Sequence, residues 1–163
     1  MRNRNQNLLR LFLWALALGW GAVLFVLSGQ NGVQSGNLSR MFTQWLLRLF
    51  PSLPWSAARM EPVLRKIAHF GIFALEGCLL GTAMLCSLRS RSAAVLISAS
   101  VCAAVAGLNE FHQSFVAGRN AAFTDVLIDT GGAFTGILFA LLMVCLVRRI
   151  ASRRRARRRN VII

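Results

Sequence analysis

Acidic side chains are scarce in this chain: five carboxylates stand against nineteen basic residues over 163 positions, a formal charge of +14. In a soluble protein that excess would point to nucleic acid. No recognition motif or aromatic interleaving accompanies the arginines, so no nucleic-acid partner is expected. The four cysteines, Cys78, Cys86, Cys102 and Cys145, lack CxxC spacing. They read as small packing residues, not metal ligands or disulfides. HExxH and GxSxG are both missing, which removes the zincin and nucleophile-elbow signatures.

What the chain has in abundance is apolar side chains, 56% of all residues. Four stretches, 8–27, 63–85, 93–111 and 123–147, approach the roughly 20 apolar residues that cross a bilayer. The expected fold is all-α: a polytopic membrane protein of four transmembrane helices, one domain over 1–147, with an arginine-rich tail over 148–163. The first run follows basic residues as a signal peptide does. It exceeds the usual apolar core of roughly 7–15 residues and no A-x-A site follows, so it is expected to be retained.

Basic residues set the orientation. With the N-terminus inside, the inner face carries thirteen, among them Arg89, Arg91, Arg148 and Arg149, and the outer side six. Both termini are therefore expected in the cytoplasm, with the protein in a bacterial inner membrane. The eight arginines from Arg148 to Arg159 suit either attraction to anionic lipid or simple anchoring.

The long outer segment opens with Gly, Ser, Asn and Gln, a loop signal. Leu38, Met41, Phe42, Trp45, Leu46, Leu49 and Phe50 then share one helical face. An extracytoplasmic amphipathic helix over 38–50 is expected, either lying in the membrane interface or packed on the bundle as a lid. Pro51 and Pro54 end it.

Four of the five acids, Glu76, Glu110, Asp125 and Asp129, fall inside the apolar stretches. A charge at mid-membrane costs ~2.5–3.5 kcal/mol on insertion scales, so such groups face a bundle interior or cavity. At about 100° per residue, Lys66, His69, Phe73 and Glu76 share an arc of about 80°, and Asp125, Asp129, Gly132 and Gly136 one of about 60°. Glu110 and Gln113 continue a stripe of Ala99, Ala103 and Ala106. Gly77–Gly81 and Gly132–Gly136 have the GxxxG spacing of close helix contacts. With the expected topology, these polar residues converge on the outer half of the bundle.

Three roles compete for them. Buried ion pairs would fix helix register. A head-group pocket would use Arg119, Lys66 and the histidines for phosphate, with Gln113, Asp125 and Asp129 in support. A catalytic site would use Glu110 or His112 as general base. A metal ion is not expected, because Glu110 and His112 lie about 160° apart on an ideal helix, and no cofactor is implied.

Taken together, RKIAHFGIFALEGCLLG at 65–81 and NEFHQSFVAGRNAAFTDVLIDTGGAFTG at 109–136 resemble the VanZ-like family of bacterial membrane proteins. Lys66, His69, Phe70, Glu110, His112, Gln113, Phe115, Gly118, Arg119 and Asp125 fit the family pattern, and Ser28-Gly29-Gln30 resembles the stretch after its first span. Asn109 stands where an acid is usual and Ala117 where a proline is. No motif position covers Glu76. The resemblance implies a cell-envelope role linked, for the namesake, to low-level teicoplanin resistance. The expected partners are membrane lipids and an anionic envelope lipid or cell-wall precursor. The alternatives are a membrane enzyme acting on such a lipid and a scaffold or transport subunit, the transport version requiring a homo-oligomer.

Overall fold

A computed structural model describes residues 4–51, 55–119 and 121–160. Arg2 and Pro54 lie outside the described residues, as do the side chains of Ser35, Leu38 and the arginines from Arg155 onward. The described chain is five helices: α1 (Arg4–Ser28), α2 (Gly32–Leu49), α3 (Ala57–Ser87), α4 (Arg91–Gln113) and α5 (Phe123–Asn160). All but α2 are long and apolar enough to cross a membrane. Each extends beyond its apolar run, because a helix satisfies its own backbone wherever it meets hydrocarbon or protein.

The centre of the bundle is the pair α3 and α5. A Cβ on Gly77 would overlap the Ala133 backbone, one on Gly132 the Phe70 carbonyl, and one on Gly136 the Ala74 carbonyl. Partner numbers rise together along both helices, so α3 and α5 run parallel. The two GxxxG stripes pack onto each other, which lets backbones meet where lipid supplies no hydrophobic drive. Ala17, Leu24, Phe73, Leu80, Cys102, Ala106, Ala133 and Ile137 form the main core around this contact. All four cysteines are free, and Cys102 lies within that core.

Helices α1 and α4 flank the pair. The Trp14 and Trp20 indoles donate to Ser87 Oγ and the Ile72 carbonyl, both at 3.1 Å, and tie α1 antiparallel to α3. Ser90 caps α4 by accepting from the Ala93 N–H at 3.2 Å. At the far end of α3, Arg148 donates to the Leu85 carbonyl at 3.0 Å, a cation meeting orphan helix carbonyls.

Helix α2 is longer than its apolar pattern, beginning at Gly32 in the stretch read as loop. It docks by its small polar face: Gly36 and Thr43 are buried, and Thr43 Oγ1 donates to the Ser39 carbonyl at 2.8 Å. Gly36 is small enough to admit Arg65, whose Nη2 would lie 3.8 Å from a Cβ there. The apolar face points away, leaving Met41, Phe42, Trp45 and Leu49 more than half exposed. An outward apolar face suits the interfacial alternative, since a lid would turn its apolar side inward.

Candidate functional site

The end of α1, the start of α3, the end of α4 and the start of α5 meet at the α2 end of the bundle. Between α1, α3 and α4, beside α2, lies a cavity of about 170 Å³ whose polar lining includes Ser28, Arg65, His69, Asn109, Gln113 and Arg119.

Arg119 is placed by the turn before it. Gly118 has φ of 75°, the left-handed region that suits glycine, and this swings the chain from α4 back toward α1. The guanidinium then donates from Nε to the Gln30 carbonyl at 3.2 Å and from Nη1 to Gln113 Oε1 at 3.0 Å. Gln113 is itself buried, so it positions the arginine instead of meeting solvent. Burial first, and then the charge of Arg65, hold the Arg119 guanidinium below its usual range, with Glu110 opposing. An arginine remains protonated under such perturbation. Both of Arg119's bonds go to neutral oxygens, so its charge is oriented but not neutralised.

His69 lines the same cavity and is held from behind. Its Nδ1 lies 3.3 Å from Oδ1 of Asp129, which is fully buried. Nδ1–H donating to the carboxylate leaves Nε2 as the ring's free nitrogen. Among the described residues this is the sole ion pair within 4.0 Å. Neither arginine of the cavity is paired with a carboxylate.

The remaining acids have distinct surroundings. Glu110 Oε1 accepts from the Ala122 N–H at 2.7 Å, joining the end of α4 to the approach of α5. Its Oε2, Oδ2 of Asp129 and Nε of Arg65 are buried without partners. An unsatisfied buried polar atom costs about 1–3 kcal/mol, more if charged, so such a concentration marks a place built for something besides stability. Asp125 and Lys66 lie on the other side of His69, in an open cavity of about 690 Å³ shared with Glu61 and Arg65.

His112 and Glu76 face elsewhere. His112 stacks on Phe25 with ring centroids 4.9 Å apart, and its Nδ1 lies 3.2 Å from Ser28 Oγ. The Ser28 hydroxyl donates its one proton to the Asn109 carbonyl at 3.2 Å, so the His112 bond needs an N–H at Nδ1. Glu76 looks toward α1, 3.8 Å from where a Gly21 Cβ would stand. No group of three or more His, Cys, Asp or Glu is arranged to hold a metal ion among the described residues.

The structure therefore brings His69, Gln113 and Arg119 together around one cavity. Asp129 stands behind it, Lys66 and Asp125 beside it, and His112 and Glu76 outside it. Sequence reasoning missed Arg65 as a cavity residue. The signal was available: Arg65 precedes His69 by four residues, about 40° away on the helix, whereas Lys66 is about 60° away. Ser28 and Asn109 act through contacts between helices far apart in sequence, which no local pattern reveals.

No curated protein and no solved structure matches this chain. A family comparison does: residues 12–145 match the family described as VanZ/LLP1. Because the match covers most of the sequence, including the cavity residues from Ser28 to Arg119, the chain belongs to the VanZ-like family.

Proposed function

We propose that this membrane protein binds an anionic component of the bacterial cell envelope, a lipid phosphate or cell-wall precursor, at the α2 end of the bundle. The observation that carries the proposal is the convergence of Arg65, Arg119 and His69 on one cavity, with neither arginine paired to a carboxylate. A phosphate accepts the planar, multiple hydrogen bonds that guanidinium groups supply and neutralises both charges at once. The excess of basic residues at the opposite end of the bundle supports an inner-membrane orientation with both termini cytoplasmic and the site outward. In that orientation the site meets envelope precursors, which is the setting for a link to teicoplanin resistance.

The test is binding of a phosphate-bearing lipid to purified protein in nanodiscs. Arg119→Ala and His69→Ala should each lower affinity at least tenfold and remove any teicoplanin tolerance the protein confers. Wild-type affinity and phenotype in both variants would overturn the reading. Labelling of Gly118→Cys in whole cells by a membrane-impermeant thiol reagent checks the orientation; labelling only after permeabilisation would reverse it.

One observation favours a second reading, that of a membrane enzyme acting on such a lipid. Asp129 holds His69 by Nδ1 and leaves Nε2 free on a ring that lines the arginine-bearing cavity. That is how a carboxylate orients a histidine for general-base work. Glu110 and His112 already bond to Ala122 and Ser28 respectively. Turnover of a bound lipid phosphate that stops in His69→Gln while binding persists would establish the enzyme; binding without turnover in the wild type would exclude it.

A further inference from the structure

A second cavity, of about 650 Å³, runs between α1, α3 and α4, and its walls are mainly apolar: Ala17, Leu80, Met84, Val101, Val105 and their neighbours. It extends along α1 from Trp14 to Phe25, about 16 Å of helix rise. Helices long and apolar enough to span a membrane form it, so lipid hydrocarbon is the medium at its mouth. Leu24 and Asn109 line both this groove and the arginine-bearing cavity, so the two adjoin there.

One polar group interrupts the groove. Glu76 is only 6% exposed, lines the cavity, and has an Oε2 atom with no hydrogen-bond partner. It lies seven residues beyond His69 on α3, about 10 Å further from the phosphate-binding cavity. That oxygen is shielded from the groove; the carboxyl's Oε1, 3.8 Å from where a Gly21 Cβ would stand, is the atom that a groove filled only with hydrocarbon would leave without a polar partner. A glycerolipid phosphate fits all three features: an anionic head, a polar ester and hydroxyl linkage at intermediate depth, and an apolar chain.

Resting on the anion-binding reading proposed above, we infer that the groove between α1 and α4 holds the acyl chain of a glycerolipid whose phosphate occupies the cavity of Arg65, His69 and Arg119, with Glu76 meeting the polar linkage between them. The ligand is thus a membrane lipid, not a free phosphate. Gly21 keeps the groove open opposite Glu76, because any side chain there projects toward the carboxyl.

The full-length protein in nanodiscs is tested with two probes: a monoacyl glycerol phosphate carrying a diazirine near the end of its chain, and inorganic phosphate observed by phosphorus NMR line broadening. Gly21→Leu should weaken binding of the lipid at least tenfold and abolish crosslinks to Val101 and Val105, yet broaden inorganic phosphate as the wild type does. Gly19→Leu, at a position with nothing within 4 Å of a Cβ, should bind both probes normally and controls for the substitution itself. If the wild type binds both probes and Gly21→Leu retains wild-type lipid affinity and crosslinks, the groove assignment is overturned while the anion site stands. If the wild type binds neither probe, the anion site fails as well.

Discussion

Asp129 has no exposed surface, yet it accepts a hydrogen bond from Nδ1 of His69, 60 positions earlier in the chain, at 3.3 Å. The pair joins α3 to α5 just above the interlocked glycines and turns a lone histidine into an oriented one. A buried carboxylate with one bonded and one free oxygen serves little purpose in a bundle held together by close backbone packing. It stands behind a cavity that carries two arginines without a carboxylate partner.

Replacing Asp129 by Asn keeps the shape but replaces the carboxylate that holds Nδ1–H of His69 with a neutral amide. Phosphate affinity should fall about tenfold, equivalent to roughly 1.4 kcal/mol, while the thermal midpoint in detergent stays close to wild type. Calorimetric titration checks this. An unchanged affinity would make the pair a purely structural contact.

The two cations of the sequence motif should separate cleanly. Arg119 is half-buried and oriented by Gln30 and Gln113, so Arg119→Ala should lose a charged hydrogen-bond donor set worth about 1.5–3 kcal/mol of binding per bond. Lys66 is exposed beside the outer cavity, so Lys66→Ala should have a small effect that vanishes at high salt. Equal losses in the two variants, independent of ionic strength, would contradict this arrangement.

Gly136→Leu should prevent folding or lower stability by more than the ~1–3 kcal/mol of ordinary overpacking, because its Cβ would meet backbone, which cannot move aside. Gly131→Leu, five positions before and facing open space, should be tolerated. Thermal unfolding of both variants in the same detergent decides it; equal midpoints would disprove the α3–α5 interlock.

Ser28 ties the end of α1 to α4 through Asn109 and His112. Ser28→Ala should cost about 1 kcal/mol and raise hydrogen exchange at the ends of α1 and α4 more than along α3. A uniform change along all helices would argue against a local clasp.

In a variant retaining Trp45 alone, brominated lipid should quench the fluorescence strongly and acrylamide weakly, because the apolar face of α2 is turned away from the bundle. The reverse order would place α2 in water.

Much of this architecture was readable without coordinates. Hydropathy marked the four spans, since only a helix satisfies every backbone group inside hydrocarbon. GxxxG spacing picked out the glycines that interlock, and the motif residues pointed to His69, Gln113 and Arg119. The extent of α2 was not readable, because Gly, Ser and Asn are poor helix formers and the tertiary contact of Gly36 and Thr43 with α3 overrides that weakness. Nor was the choice of Arg65 over Lys66 for the inner cavity, which depends on how α3 is rotated against α1 and α5.

Sequence alone settled the class of protein: scarce acids, long apolar runs and small-residue stripes leave a helical membrane bundle as the stable solution. It also showed that the acids inside those runs need partners. Only the tertiary structure decided which partners they have, because charge and hydrogen bonding depend on distances between helices that no periodicity encodes. Those distances set Asp129 behind His69, gave Glu110 the backbone of Ala122, left Arg65 and Arg119 without a carboxylate, and placed Glu76 alone in an apolar groove.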